Sequence, residues 1–280
     1  MFIFALSFFL FGAIIGSFLN VFILRHGVKA ISGRSACPAC AHTLEAVDLV
    51  PIFSWLFLRG RCRFCGSGIS IQYPLVELLT ALVFAFIGVA PLTLTAQLAA
   101  LPVAALLIAI SVYDLRHTII PDSWVVAFAG FSLVFSVIYL DLIHQLPAVV
   151  PLLLAGPFSA LPFFALWYVS GGRWMGLGDG KLAWGIGWLL GPLYAFAAII
   201  SAFILGALIS VFILLPLSSP VFWSFVKRFT PTGTSRKSAW GFTMKSEVAF
   251  GPFLATACLI VWISILYHID PFAAVLGGPL

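Results

Sequence analysis

Long apolar runs, separated by short polar segments, fill most of the chain. They lie at about 2–24, 74–90, 97–113, 123–140, 148–169, 182–190, 192–216 and 251–268. A helix needs roughly 20 mostly apolar residues to cross a bilayer, so seven of these runs predict spanning helices. The run 182–190, Leu-Ala-Trp-Gly-Ile-Gly-Trp-Leu-Leu, is too short alone. It must borrow residues before it or belong to a broken helix. The runs are continuous and do not alternate with period two, which argues against a membrane β-barrel. The pattern predicts an all-α polytopic membrane protein of about eight transmembrane helices.

Composition agrees. Of 280 residues, 62% are apolar and 8% charged, and the mean hydropathy is +1.17. A soluble domain carries about a quarter charged residues, and disorder needs high charge with low hydropathy. The net charge of +5 does not point to nucleic acid, because the positions of the charges matter more than their sum. If the runs cross in turn, one side receives 25–73, 114–122, 170–181 and 217–250. The other receives 91–96, 141–147, the turn near Gly191-Pro192 and the tail 269–280. All 14 Lys and Arg fall on the first side, which the positive-inside rule makes cytoplasmic. This split requires 182–190 to be a crossing and puts both termini outside the cytoplasm. Residues 1–24 lack a basic n-region and a small-residue cleavage site, so they read as the first span and not as a signal peptide. Ser17 and Asn20 within it read as packing contacts to other helices.

Residues 25–73 form the one sizeable cytoplasmic segment. Four of the five cysteines are here: Cys37-Pro-Ala-Cys40, then 21 residues, then Cys62-Arg-Phe-Cys65. Two CxxC knuckles suit a tetrahedral four-thiolate zinc site, with Gly66 and Gly68 placed for a tight turn. Disulfides, a redox pair or free thiols are the alternatives, and a cytoplasm disfavours disulfides. A closed four-sulfur site would be structural, since so short a segment buries little core without a staple. Cys258 in the last span reads as a small core residue.

The chain has nine acidic residues. Glu45, Asp48, Glu247, Asp141 and Asp270 read as solvated charges. Glu77 lies just inside the second span and needs a partner, either Arg25 or an arginine of the cysteine segment. Asp114 ends the third span, before Ile120-Pro121-Asp122. Asp179 lies in Gly176-Leu-Gly178-Asp179-Gly-Lys181, entering the sixth. Both fall at the cytoplasmic edge. Two carboxylates converging in a partly dry site divide into a proton holder and a water activator, which is aspartic-protease chemistry. The other reading is that each Asp caps a helix or pairs with Arg116 or Lys181. Asp122 reads as a helix cap, Lys181 as snorkelling to the headgroups, and His117 as a surface residue.

Gly16-Ser-Phe-Leu-Asn20-Val, the four cysteines, and Arg59-Gly-Arg-Cys62-Arg-Phe-Cys65 leading into Tyr73-Pro-Leu-Val-Glu77-Leu resemble the bacterial prepilin peptidases, a family of GxGD-type intramembrane aspartic proteases. So do Asp114 with Ile120-Pro121-Asp122, the Gly176-to-Leu182 motif, and Lys245 with Phe250-Gly251-Pro252-Phe. The resemblance spans nearly the whole chain, in the family's order. It implies that Asp114 and Asp179 are the catalytic pair of a membrane-embedded peptidase domain, 74–280. This domain would follow the first helix, 1–24, and the zinc-binding domain, 25–73. It implies a pilin or pseudopilin precursor as substrate, cut at the cytoplasmic edge of the bacterial inner membrane. It also implies N-methylation of the new terminus by S-adenosylmethionine, an activity associated with the cysteine domain. Two departures stand out: His26-Gly27 follows Arg25 in place of Leu-Pro, and Ala249 replaces a proline. No glycine-rich nucleotide motif follows a strand, so the methyl donor rests on the resemblance alone.

Other function classes predict different things. A transporter would place its acids near the midplane and show an inverted repeat, and an assembly factor would tolerate loss of either Asp. The basic loop 217–250, with Lys227, Arg228, Arg236 and Lys237, reads as a topology signal that could also contact anionic membrane lipids.

Overall fold

The computed structural model describes residues 2–27, 33–214 and 249–269. The calls for lipid contact on the basic loop and for Lys245, Glu247, Asp270 and the C-terminal tail lie outside them. The described residues are helical, with two isolated β-bridges. The helices are α1 (Phe2–Arg25), α2 (Phe53–Phe57), α3 (Gln72–Val89), α4 (Leu94–His117), α5 (Asp122–Leu142), α6 (Val149–Ser170), α7 (Leu177–Ile209) and α8 (Gly251–Leu266). Six stretches are long and apolar enough to cross a membrane, and α8 is a shorter apolar helix of 16 residues. The chain is a multi-pass membrane protein.

α7 contains a break. Gly191 has φ 75° and ψ 175°, neither helical, and Pro192 cannot continue the backbone bonding before it. Both limbs return to one residue of α6. A side chain on Gly180 would touch Phe163 and Phe164, and the Phe203 ring stacks 6.2 Å from the Phe163 ring. The chain therefore folds back at Gly191. The short run 182–190 does borrow upstream residues, beginning its helix at Leu177. Counting the two limbs of α7 separately gives eight apolar helical segments among the described residues.

Small residues set how closely the helices approach. Apolar attraction between helices is weak in lipid, so close backbone packing takes its place. Gly12 and Gly16 of α1 lie against the α3 backbone, where added Cβ atoms would come within 2.8 Å of the Ala81 Cα and 2.7 Å of the Glu77 Cα. Asn20 is buried, and its amide donates to the carbonyls of Gly16 (3.3 Å) and Tyr73 (3.1 Å). On the other flank Gly187 of α7 presses on the Ala155 carbonyl of α6, and Gly185 fits against Phe128 of α5. α8 runs from Gly251, beside Asp114, to Leu266, which lines a far-end cavity with Gln145, Gly191 and His268.

Candidate active site and candidate metal centre

Asp114 lies in the last turn of α4 and is 4% exposed. The helix stops at Thr118, in the left-handed region (φ 53°) with its N–H on the Asp114 carbonyl. Ile120 and Pro121 then turn the chain into α5. The Asp114 carboxylate accepts a hydrogen bond from the Gly251 N–H at 3.0 Å. Gly251 is required by this approach, because a Cβ there would lie 2.5 Å from Asp114 Oδ2.

Asp179 is the third residue of α7 and 9% exposed. Its carboxylate lies close to the Gly176 backbone N–H, at the N-cap of the same helix. Ile120 is wedged between the two acidic motifs. An added Cβ on Gly178 would lie 3.0 Å from Ile120 Cβ, and one on Gly251 would lie 3.2 Å from Ile120 Cδ1. The two carboxylates interact electrostatically. The structure thus brings Asp114 and Asp179 together at one end of the helix bundle.

Several neighbours differ from the sequence reading. Lys181 does not snorkel: its Nζ pairs with Asp122 Oδ1 at 2.7 Å, joining α5 to α7. Pro121 holds the N-cap position, and Asp122 is the first helical residue. Glu77 is 7% exposed and forms no salt bridge with an arginine among the described residues. Its Oε2 accepts from the Ile52 N–H at 2.6 Å, with Ser17 beside it. Ile52 has φ 65° and ψ −53°, and the Phe53 N–H reaches the Pro51 carbonyl at 2.6 Å. This is a strained γ-turn, rare for a β-branched residue. His117 is exposed and stacks on Tyr113, as a surface residue would. His26 packs 4.7 Å from Trp124 and 5.4 Å from Tyr113, joining α1 to α4 and α5 through an aromatic cluster.

The cysteines converge. Ligand atoms of Cys37, Cys40, Cys62 and Cys65 all lie within 4.8 Å of one another, positioned to bind a metal ion. The two knuckles repeat one design. In each, the first Cys N–H bonds the carbonyl five residues on, at 2.9 and 2.8 Å. The residue after the second Cys is left-handed in both, Ala41 at φ 56° and Gly66 at φ 68°. The β-bridges Ala36–Thr43 and Arg61–Gly68 close the two loops. Backbone N–H groups of Cys40 and Ala39, with the Ser67 hydroxyl, lower the Cys37 thiol to about 6. The His42 amide favours the Cys40 thiolate, but burial and the neighbouring thiols outweigh it and raise that group to about 11. Glu45 and Asp48 are not merely solvated. Both pair with Arg63, at 2.6 and 3.3 Å, and tie the second knuckle to the loop that follows the first.

The Gly251 amide, the Ile52 turn and the Lys181–Asp122 pair were not assigned roles from sequence. The Phe250-Gly251-Pro252 motif was the visible signal for the first.

Together these features define a helical membrane protein with paired buried carboxylates at one end and a four-thiol metal module beside them. Two family models match the chain: the bacterial Peptidase A24 N-terminal domain over residues 10–90 and the type IV leader peptidase family over residues 101–211. A prepilin leader peptidase/N-methyltransferase of Dichelobacter nodosus is 30% identical over 303 aligned positions, covering 92% of this chain and 90% of that protein. One of Pectobacterium carotovorum is 32% identical, covering 69% and 78%. One of Myxococcus xanthus is 44% identical, but the match covers only 48% of this chain and 41% of that protein. No solved structure matches the chain. The chain belongs to the type IV prepilin leader peptidase family.

Proposed function

We propose that this protein removes the leader from type IV pilin-like precursors with Asp114 and Asp179, and then methylates the new N-terminus. The observation that carries the peptidase reading is the convergence of two buried carboxylates, one of them held by the Gly251 amide, in a chain of this family. A pilin precursor has a basic leader followed by an apolar helix. That helix can lie in the bilayer beside the enzyme, with the scissile bond at the depth of the Asp pair. One carboxylate takes a proton from water, while the other, protonated, gives its proton to the scissile carbonyl oxygen. A tetrahedral intermediate forms without a covalent enzyme adduct. The Gly251 N–H steadies Asp114 through this exchange, and Ile120 keeps the two motifs in register.

The four cysteines hold zinc in this reading. A tetrahedral ion with Zn–S bonds of about 2.3 Å needs sulfurs about 3.8 Å apart. Cys37 Sγ and Cys65 Sγ are 3.8 Å apart. Zinc here is a staple for residues 25–73, between the helix 1–24 and the peptidase domain 74–280. S-adenosylmethionine is the methyl donor. The protein sits in a bacterial inner membrane, with the Asp pair and the cysteines on the cytoplasmic side and both termini outside it.

The test is co-expression with a pilin precursor, reading the mass of the product. Leader loss together with one added methyl group supports both activities. An uncleaved precursor beside a correctly inserted enzyme overturns the peptidase reading.

A further inference from the structure

The cysteine module turns an apolar face outward. Phe53, Leu56 and Phe57 stand at i, i+3 and i+4 of α2, the spacing that puts side chains on one side of a helix. All three are exposed among the described residues, Phe57 by 83%. The opposite side of α2 is engaged. Ser54, Trp55 and Leu58 line a cavity of about 460 Å³ between the module and the ends of α1 and α3. Trp55 Nε1 donates to the Ile69 carbonyl at 3.2 Å, and an added Cβ on Gly60 would lie 2.8 Å from the Trp55 ring. α2 is therefore pinned by one face, which fixes the direction of the other. Contiguous apolar surface of this kind marks a contact with protein or membrane.

Depth decides between the two. α3 has 18 residues, about 27 Å at 1.5 Å per residue, so it barely fills the roughly 30 Å hydrocarbon core. Its first turn then lies at the boundary between acyl chains and headgroups. Glu77 is its sixth residue, and helical side chains lean toward the N-terminus. The bond from the Ile52 N–H to Glu77 Oε2, at 2.6 Å, therefore holds Ile52 near that boundary. Phe53 follows Ile52 directly, so α2 starts at the depth of the membrane surface. Charge agrees with this placement. Arg59 and Arg61 follow the apolar face by two and four residues. Both are exposed, and neither forms a salt bridge among the described residues. The module's acids Glu45 and Asp48 are already paired with Arg63. Leucine and aromatic side chains beside arginines make up segments that lie in a membrane interface.

We propose that α2 is an interfacial anchor: Phe53, Leu56 and Phe57 insert into the acyl chains of the adjoining leaflet, and Arg59 and Arg61 bind the phosphates of anionic phospholipid. A protein partner accounts for the apolar face but not for its depth or for the two arginines. The anchor holds the cysteine module against the membrane at the end of the bundle where the Asp pair lies. It depends on neither the cleavage nor the methylation reading.

The test places the photo-crosslinker benzoylphenylalanine at Phe57, and separately at Leu56, in the full-length, metal-loaded protein. The protein is held in nanodiscs of phosphatidylethanolamine with a minority of phosphatidylglycerol. Both side chains are exposed, so their replacement removes little packing, and metal content reports folding of the module. Both positions should join to phospholipid acyl chains. Phosphatidylglycerol should be enriched about twofold or more over its share of the bilayer, as two arginines at an anionic surface should produce. Arg59→Gln combined with Arg61→Gln should return the labelled lipid to its share of the mixture while acyl-chain labelling persists. Adducts to another segment of this chain, to a second copy or to a co-reconstituted pilin precursor in place of lipid would overturn the anchor, as would the absence of any adduct. Lipid adducts without a phosphatidylglycerol preference, or a preference that survives loss of both arginines, would overturn the headgroup assignment.

Discussion

Gly251 leaves no room beside Asp114, and that makes it a test of the Asp pair. Gly251→Ala would press a methyl group against the Asp114 carboxylate, so leader cleavage should fall at least tenfold while the protein still inserts and loads metal. Unchanged cleavage would mean that Asp114 is not used as proposed. Asp114→Asn keeps an acceptor for the Gly251 N–H, and Asp179→Asn keeps the size of its side chain, yet neither can exchange a proton. Each should lower cleavage about 10²–10⁴-fold, and the double variant should be little worse than either single. Activity in both single variants would end the aspartic mechanism. At the metal module, the sign of the pH dependence follows from Cys37. Its thiol is lowered to about 6 by backbone and Ser67 hydrogen bonds, so it is already a thiolate at neutral pH. Cys40, raised to about 11, must instead give up a proton when metal binds. Metal titration at neutral pH should therefore release protons, and metal affinity should fall steadily as the pH is lowered, read as transfer to a chromogenic chelator. Proton-neutral binding, or an affinity unchanged by acidification, would contradict this. The two acids were legible in the sequence because charge is rare in so apolar a chain. The Gly251 contact was not, because it joins residues 137 apart.

Among the elements, the helices were legible because long apolar runs leave few alternatives. The break in α7 was legible too: Gly191-Pro192 marks it, and the charge split required a turn there. The Ile52 turn was not, since a β-branched residue gives no local sign of a positive φ. The Lys181–Asp122 pair was also missed, because either side chain alone is explained by the membrane edge. The pair joins the first residue of α5 to the fifth residue of α7. It is exposed at both ends, 39% and 69%, so its worth to stability is about 0–1 kcal/mol. Asp122→Asn should thus leave thermal stability nearly unchanged and reduce cleavage far less than Asp114→Asn does. If Asp122→Asn were inactive and Asp114→Asn active, the wrong member of this loop would have been assigned. The α1–α3 contact should be much less forgiving. Gly16→Leu forces a side chain into the α3 backbone, and it should lower thermal stability by roughly 1–3 kcal/mol or more, with cysteine-module metal lost alongside. A neutral Gly16→Leu would mean that α1 does not pack as described.

At the scale of the molecule, the two-sided split of charge becomes two ends of one bundle. At one end Arg116 reaches Gln72 beside the cysteine module, and Lys181 reaches Asp122, so three of the basic segments meet around the Asp pair. At the other end Gln145, Gly191 and Ile269 line a single cavity of about 560 Å³, so three of the segments without Lys or Arg meet there. Alternate crossing by the apolar segments accounts for this sorting, and the fold-back at Gly191 is what keeps the count in phase. The first limb of α7, from Leu177 to the break at Gly191, is about 20 Å long at 1.5 Å per residue, less than the roughly 30 Å hydrocarbon core. A crossing by this limb would require the bilayer to thin locally, or flanking side chains such as Tyr194 to reach for the interface. This makes the Gly191 turn the most discriminating place for a topology reporter. Fusions near 45, 175 and 235 should report cytoplasm, and fusions near 94, 144 and 275 the opposite side. A cysteine placed at Gly191 or Pro192 should react with a membrane-impermeant thiol reagent added from outside. Protection of that cysteine, together with a cytoplasmic report at 275, would make the first limb of α7 re-entrant and remove one crossing.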